Sequence, residues 1–222
     1  MKTYKTRSQG TVKKITVTAM LAALSYLLVA ISTNFPPVVL FLKYDPKDVI
    51  ITIGGFIYGP ITAAVIALIV SILEMVTFST TGIIGCIMNF LSSAAFAVPA
   101  AIIYNKRRNL NGAIIGLLTG AASVCVTMML WNYLITPLYM KTISREEIAA
   151  MLPTVFLPFN LLKAILNAAL SMIIYKPCVR VLRASRLLPP SSSQQKNGIF
   201  AIIAVIGSVA VAAACIFAII YW

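Results

Sequence analysis

The 222-residue sequence contains no histidine and only five acidic residues. Without histidine the commonest general base and metal ligand is missing, so histidine-dependent catalysis is excluded. No carboxylate pair, Ser/His arrangement or metal-ligand cluster is present, which points away from an enzyme and from a metal or other cofactor. No GxxxxGK[ST] phosphate loop occurs, so the chain does not itself hydrolyse ATP. The four cysteines, Cys86, Cys125, Cys178 and Cys215, are widely spaced in or beside apolar segments. They form neither a CxxC metal site nor a disulfide framework and read as small core residues.

What the sequence has instead is apolar bulk. Apolar residues make up 60% of the chain, charged residues 10%, and the mean hydropathy is +0.97. A soluble core of this size cannot hide that much apolar surface, whereas a bilayer needs about 20 apolar residues per helical crossing. The expectation is an all-α integral membrane protein. Eighteen Lys and Arg against five Asp and Glu give a net charge of +13. In a membrane protein this excess is read by position, as orientation relative to the lipid bilayer, and not as a sign of nucleic acid.

Charges divide the chain into apolar blocks at 15–33, 49–77, 83–104, 113–139, 155–175 and 199–222. The second block exceeds one comfortable crossing and contains Gly59-Pro60, a pairing that stops one helix and starts the next. Splitting it there places the basic clusters Lys2/Lys5/Arg7/Lys13/Lys14, Lys106-Arg107-Arg108 and Lys176/Arg180/Arg183/Arg186/Lys196 on one side, which the positive-inside rule makes cytoplasmic. The segments 34–48, 78–82 and 141–153 then lie outside. The resulting organisation is a basic cytoplasmic N-terminus at 1–14, a six-helix membrane core at 15–183, a Ser/Gln/Pro-rich linker at 184–198, and a seventh transmembrane helix at 199–222. That last helix has no ionisable residue and reads as an anchor or lipid-facing appendage.

Ionisable groups at membrane depth are costly and are functional candidates by default. Glu74, near the outer end of the third helix, and Lys163, about two turns into the sixth, are of this kind. Asn160, Lys163, Asn167 and Ser171 follow i, i+3, i+7 and i+11, one polar stripe on an otherwise apolar helix, which must face protein or water. Asn132 on the fifth helix and Asn89 on the fourth fall at similar depth. Amides offer donors and acceptors together, which suits a polar heterocycle or polyol; taken singly, each is better explained by hydrogen bonding between helices, whereas all five polar groups converging in the outer half point to a ligand site. The loop Lys43-Tyr44-Asp45-Pro46-Lys47-Asp48 can cover such a pocket with Lys43, Tyr44 and Asp45, while Asp48 is expected to cap the second helix. Trp131, Tyr133 and Tyr139 fit ring stacking or an interfacial aromatic belt equally well. Ala19, Ala22 and Ala23 make a small-residue surface on the first helix, and Ala19-xxx-Ala23 allows close approach of another helix, either inside the bundle or from a partner.

Several stretches carry a resemblance. Phe41-Leu42-Lys43-Tyr44-Asp45-Pro46-Lys47-Asp48-Val49, Gly55-Phe56-Ile57-Tyr58-Gly59-Pro60, Met88-Asn89-Phe90-Leu91, Asn132-Tyr133 with Pro137-Leu138-Tyr139, and Pro158-Phe159-Asn160-Leu161-Leu162-Lys163 are similar to an S component of the energy-coupling factor (ECF) vitamin transporters, of the riboflavin-specific RibU type. The resemblance implies six helices, an extracellular lid between the first two, and flavin contacts from Asn132, Asn160 and Lys163. It also implies that Ala19 and Ala23 meet a transmembrane coupling subunit, which works with two ATPase subunits. The expectation is therefore a subunit that binds riboflavin for uptake through the cell membrane. The alternatives are an S component for another vitamin or flavin analogue and an intramembrane lipid-modifying enzyme using Glu74 or Lys163.

Overall fold

A computed structural model describes residues 2–38, 42–139, 144–187, 206–211 and 213–215, with the backbone alone for 2–9. Among these residues the architecture is all helical. The helices are α1 (Lys2–Ser32), α2 (Lys47–Tyr58), α3 (Pro60–Thr77), α4 (Gly82–Lys106), α5 (Leu110–Leu134), α6 (Thr136–Tyr139), α7 (Arg145–Met151) and α8 (Leu157–Ala184), with a π-helical turn at Leu152–Phe156 before α8. The six long-range elements of the expected core are α1 to α5 and α8.

The break inside the second apolar block falls where the sequence places it. Gly59 adopts φ 99°, a left-handed conformation that favours glycine, and Pro60 starts α3 at a position where its missing N–H is harmless. α2 differs from the expected span in one respect. Its 12 residues cover only about 18 Å, short of the roughly 30 Å hydrocarbon core. Ten of them, Lys47 to Phe56, are buried, so α2 is an interior helix packed against α1, α3, α4 and α8. Among the described residues, five helical segments are long and apolar enough to cross a membrane, the last of them running from Arg145 to Ala184.

Small residues set the closest contacts. A Cβ added to Gly55 meets the Cβ atoms of Ala63 and Ala101 at 2.9 Å, and one added to Gly116 meets the Ala100 carbonyl oxygen at 2.7 Å. Helices in lipid gain little from the hydrophobic effect between them, so this close van der Waals contact is a main source of their association. Around it Val49, Ile51, Ile53, Ala63, Ile66, Ala67 and Val70 form one core cluster, and Phe56, Phe96, Ala100, Ala101, Leu117 and Val124 another.

The basic clusters meet at one end of the bundle. Lys13 Nζ donates to the Arg186 carbonyl at 3.1 Å, and Lys14 Nζ lies 5.9 Å from the centre of the Tyr58 ring. At the same end the hydroxyls of Tyr104 and Tyr175, just before the second and third basic clusters, are 2.8 Å apart. At the opposite end Ser144 and Glu147 form a reciprocal capping box that starts α7. Of the segment 199–222, residues 206–211 and 213–215 are helical, and Cys215 is buried against Leu166 and Ala169 of α8. The remainder of that segment, and 188–198 of the expected linker, lie outside the described residues.

Candidate functional site

The polar stripe of α8 faces the interior. Asn160, Asn167 and Ser171 are buried, and the Lys163 side chain is 14% exposed. Asn160, Lys163 and Asn167 line a small cavity together with Asp48 of α2, Phe96 of α4, Val124 of α5 and Ala164 of α8. The space within it is about 10 Å³, room for about one water molecule. The lining therefore combines apolar and aromatic side chains with an ammonium, a carboxylate and two carboxamides.

A strap of residues 42–46 between α1 and α2 closes over this lining. Lys163 Nζ donates to Asp45 Oδ2 at 3.1 Å and lies 3.8 Å from Asp48 Oδ2. Asn167 donates to Asp48 Oδ2 at 3.3 Å and accepts from the Tyr44 hydroxyl at 2.8 Å. Burial, reinforced by the Asp45 and Asp48 carboxylates, pushes the Tyr44 hydroxyl far up, so it stays a neutral donor. Burial alone would raise the Asp45 carboxyl, but the ammoniums of Lys163 and Lys47 outweigh it and hold Asp45 below its ordinary range.

Beside this lining stands a second polar group. Lys47 Nζ is held by both carboxylate oxygens of Glu74, at 2.7 and 2.8 Å, and the Asn89 amide donates to Glu74 Oε2 at 2.6 Å. Lys47 and Glu74 are both buried. This triad ties α2, α3 and α4 together, while Asp45 and Asp48 tie the same turn of chain to α8. The first turn of α2 is thus the junction of two charge clusters.

The expected site residues therefore fall into three groups. Asn160 and Lys163 line the cavity, and Tyr44 and Asp45 hold its polar lining from the strap. Glu74 and Asn89 lie together in the neighbouring triad, where Glu74 takes Lys47 as its partner. Lys43 is exposed and donates to the Thr33 carbonyl at 3.1 Å, and Asn132, though buried, donates to Met128 O at 2.7 Å and accepts from Thr136 at 3.0 Å, both near its own helix. Asp48 does not cap: the N-cap of α2 is Pro46, with no side-chain cap hydrogen bond, and the Asp48 carboxylate turns to α8 instead. Lys47 is not singled out by the sequence, although a buried glutamate calls for a cation. Phe96 and Val124 carry no signal in sequence, since aliphatic and aromatic residues are everywhere in such helices.

On α1, Ala19 and Ala23 are exposed, whereas Ala22 is buried. The small-residue pair thus faces away from the bundle, flanked by the exposed side chains of Met20, Leu24 and Leu27. Tyr133 points outward, with the Arg145 guanidinium 5.9 Å from its ring centre.

Residues 13–175 match the family described as ECF transporter, substrate-specific component. The riboflavin transporter FmnP of Bacillus subtilis (strain 168) is 28% identical over 187 residues, covering 79% of this chain and 98% of the relative. The riboflavin transporter RibU of Staphylococcus aureus (strain TCH60) is 27% identical over 176 residues, covering 77% and 93%. A solved structure of the S component of a bacterial ECF transporter superposes with a TM-score of 0.63 at 26% identity, covering 78% of this chain and 99% of that one.

Proposed function

The chain belongs to the ECF transporter substrate-specific component family, and from that membership we propose that it is the membrane subunit that captures riboflavin outside the cell and releases it inward. The observation that carries the ligand is that Asn160, Lys163 and Asn167 line one cavity with Phe96 and Val124. A flavin ring has an apolar dimethylbenzene edge and a polar imide edge, and this pocket has side chains for each. An ammonium and carboxamides answer ring carbonyls, and an aromatic and aliphatic surface accepts the ring face.

A drug-sized ligand occupies a pocket of about 300 Å³ or more, far beyond the present cavity. Entry therefore requires Tyr44 and Asp45 to leave Asn167 and Lys163, which makes the strap at 42–46 the cover of the site. The triad of Lys47, Glu74 and Asn89 holds the base of that strap. Asn160 and Lys163 contact the ring, and Asn132, close to the end of α5, contributes less. The basic end of the bundle, with the N-terminus, faces the cytoplasm under the positive-inside rule, so the strap opens to the outside of the cell membrane.

Release inward uses a coupling subunit and two ATPase subunits, and the exposed face of α1 bearing Ala19 and Ala23 is the surface that meets the coupling subunit. A close-packed helix contact needs small residues in the open, and there the structure has them. The test is an absorbance spectrum of the detergent-purified protein. Bound flavin absorption that is lost on denaturation and dialysis is the expected result; a purified, folded chain that neither carries flavin nor takes it up from solution would refute the assignment.

A further inference from the structure

Asp48 is buried and lines the cavity, yet only half of its carboxylate is occupied. Oδ2 is held by the Asn167 amide at 3.3 Å and lies 3.8 Å from the Lys163 ammonium. Oδ1 has no hydrogen-bond partner among the described residues. The Ser93 hydroxyl on α4 interacts with the Asp48 carboxylate, but at a geometry that leaves both it and Oδ1 short of a full hydrogen bond. A helix cap would explain an aspartate in the first turn, but Asp48 makes no cap bond. A buried carboxylate oxygen without a donor is destabilising, and such groups persist where something else supplies the donor.

We infer that Asp48 is a ligand-contacting residue, whose Oδ1 accepts a hydrogen bond from an N–H or O–H of the bound molecule while Asn167 and Lys163 fix Oδ2. This rests on the reading of the cavity as a flavin site and extends it to what the site selects. Lys163 can only donate, and the Asp48 carboxylate can only accept. Side by side they read a ligand edge that presents an acceptor next to a donor. A flavin offers two sources of that donor, the imide N3–H between its two carbonyls and the hydroxyls of the ribityl chain. Molecules that present only acceptors leave Oδ1 unsatisfied and are selected against. Asp45 also has an unpartnered buried oxygen, but it sits on the strap that must move for a ligand to enter, so its surroundings in the closed form are not those of the occupied site.

The test pairs residue changes with ligand changes. Dissociation constants are measured by flavin-fluorescence titration of purified wild type, Asp48→Ala and Asp48→Asn. The probes are riboflavin, N3-methylriboflavin, which lacks the imide donor, and lumiflavin, which lacks the hydroxyls. Asp48→Ala is expected to weaken riboflavin binding about 10- to 150-fold, the usual range for a hydrogen bond to a charged group. Asp48→Asn keeps the shape and a partner for Asn167, so it is expected to fold as wild type does and to lose less affinity. One analogue is expected to lose affinity on wild type and to lose nothing further on Asp48→Ala; that analogue names the donor. Residue and ligand effects that multiply independently for both analogues would overturn the role of Asp48 while leaving the flavin site standing. Wild-type protein that fails to bind riboflavin would overturn the flavin reading, and this inference with it.

Discussion

The two ends of α2 are held by opposite means. At its start Lys47 and Asp48 are gripped by charges and amides from α3, α4 and α8. Near its end Gly55 lies so close to Ala63 and Ala101 that a single added carbon has no room. Contacts built on small residues have one good geometry and resist sliding. Charged contacts can exchange partners, provided a replacement arrives at the same moment. The difference places movement at the strap end, where a ligand can substitute for the chain's own carboxylate, and rigidity at the end joined to α3 by Gly59.

Removing one member of the buried pair is expected to have the largest effect on the charged end of α2. Lys47→Ala leaves Glu74 buried with only Asn89 beside it and is expected to cost about 3–5 kcal/mol. Chemical denaturation in detergent, followed by helical circular dichroism, reads this directly. Changing both partners, Lys47→Met with Glu74→Met, is expected to recover most of the loss; no recovery would mean that the pair does more than satisfy itself.

The small-residue end gives a lesser effect of different character. Gly55→Ala forces apart Ala63 and Ala101, for an expected cost of about 1–3 kcal/mol from overpacking. A stability equal to wild type would show that the α2–α3–α4 contact yields easily. The same kind of residue on the outside of the bundle behaves differently. Ala19→Leu with Ala23→Leu is expected to leave stability and flavin affinity within about 0.5 kcal/mol of wild type, because both positions are exposed. Uptake by cells is nonetheless expected to be abolished, and normal vitamin uptake would remove α1 as the docking face.

The smallest expected effect is that of pH. Asp45 is held below its ordinary range, so its contact with Lys163 is fully present above about pH 4 and is lost only as pH falls through that lowered value. Tyr44 is pushed above its ordinary value near 10, so its donor is retained below that pH and is lost only in stronger alkali. Neither group titrates between about pH 5 and 9, so closure of the strap, read by hydrogen exchange of residues 42–46, is expected to be flat across that window. A titration step inside that window would show that the latch is not built from these groups.

Much of this arrangement is legible in the sequence because the bilayer penalises every polar group it contains. The spacing of Asn160, Lys163, Asn167 and Ser171 can serve only an inward-facing stripe, and Gly59-Pro60 can only break a helix. Partner choice was not legible. Lys163 has no acid at i±3 or i±4, so its carboxylates arrive from a distant strap, Asp45 being 118 residues away. Glu74 is equidistant in logic from Lys163 and Lys47, and only the packing of α2 inside the bundle decides for Lys47. Asp48 illustrates the same limit: a first-turn aspartate after a proline suits a cap, and its turn toward α8 depends on α2 being buried on all sides. The direction of Ala19 and Ala23 is likewise fixed by which face of α1 meets α2 and α3.

Binding of the flavin ring by the α8 stripe is tested by titrating flavin fluorescence against purified wild type, Lys163→Ala and Asn160→Ala. Each substitution is expected to raise the dissociation constant about 10- to 150-fold, with Asn132→Ala raising it less. Folded Lys163→Ala and Asn160→Ala proteins that both bind riboflavin as tightly as wild type would contradict that assignment.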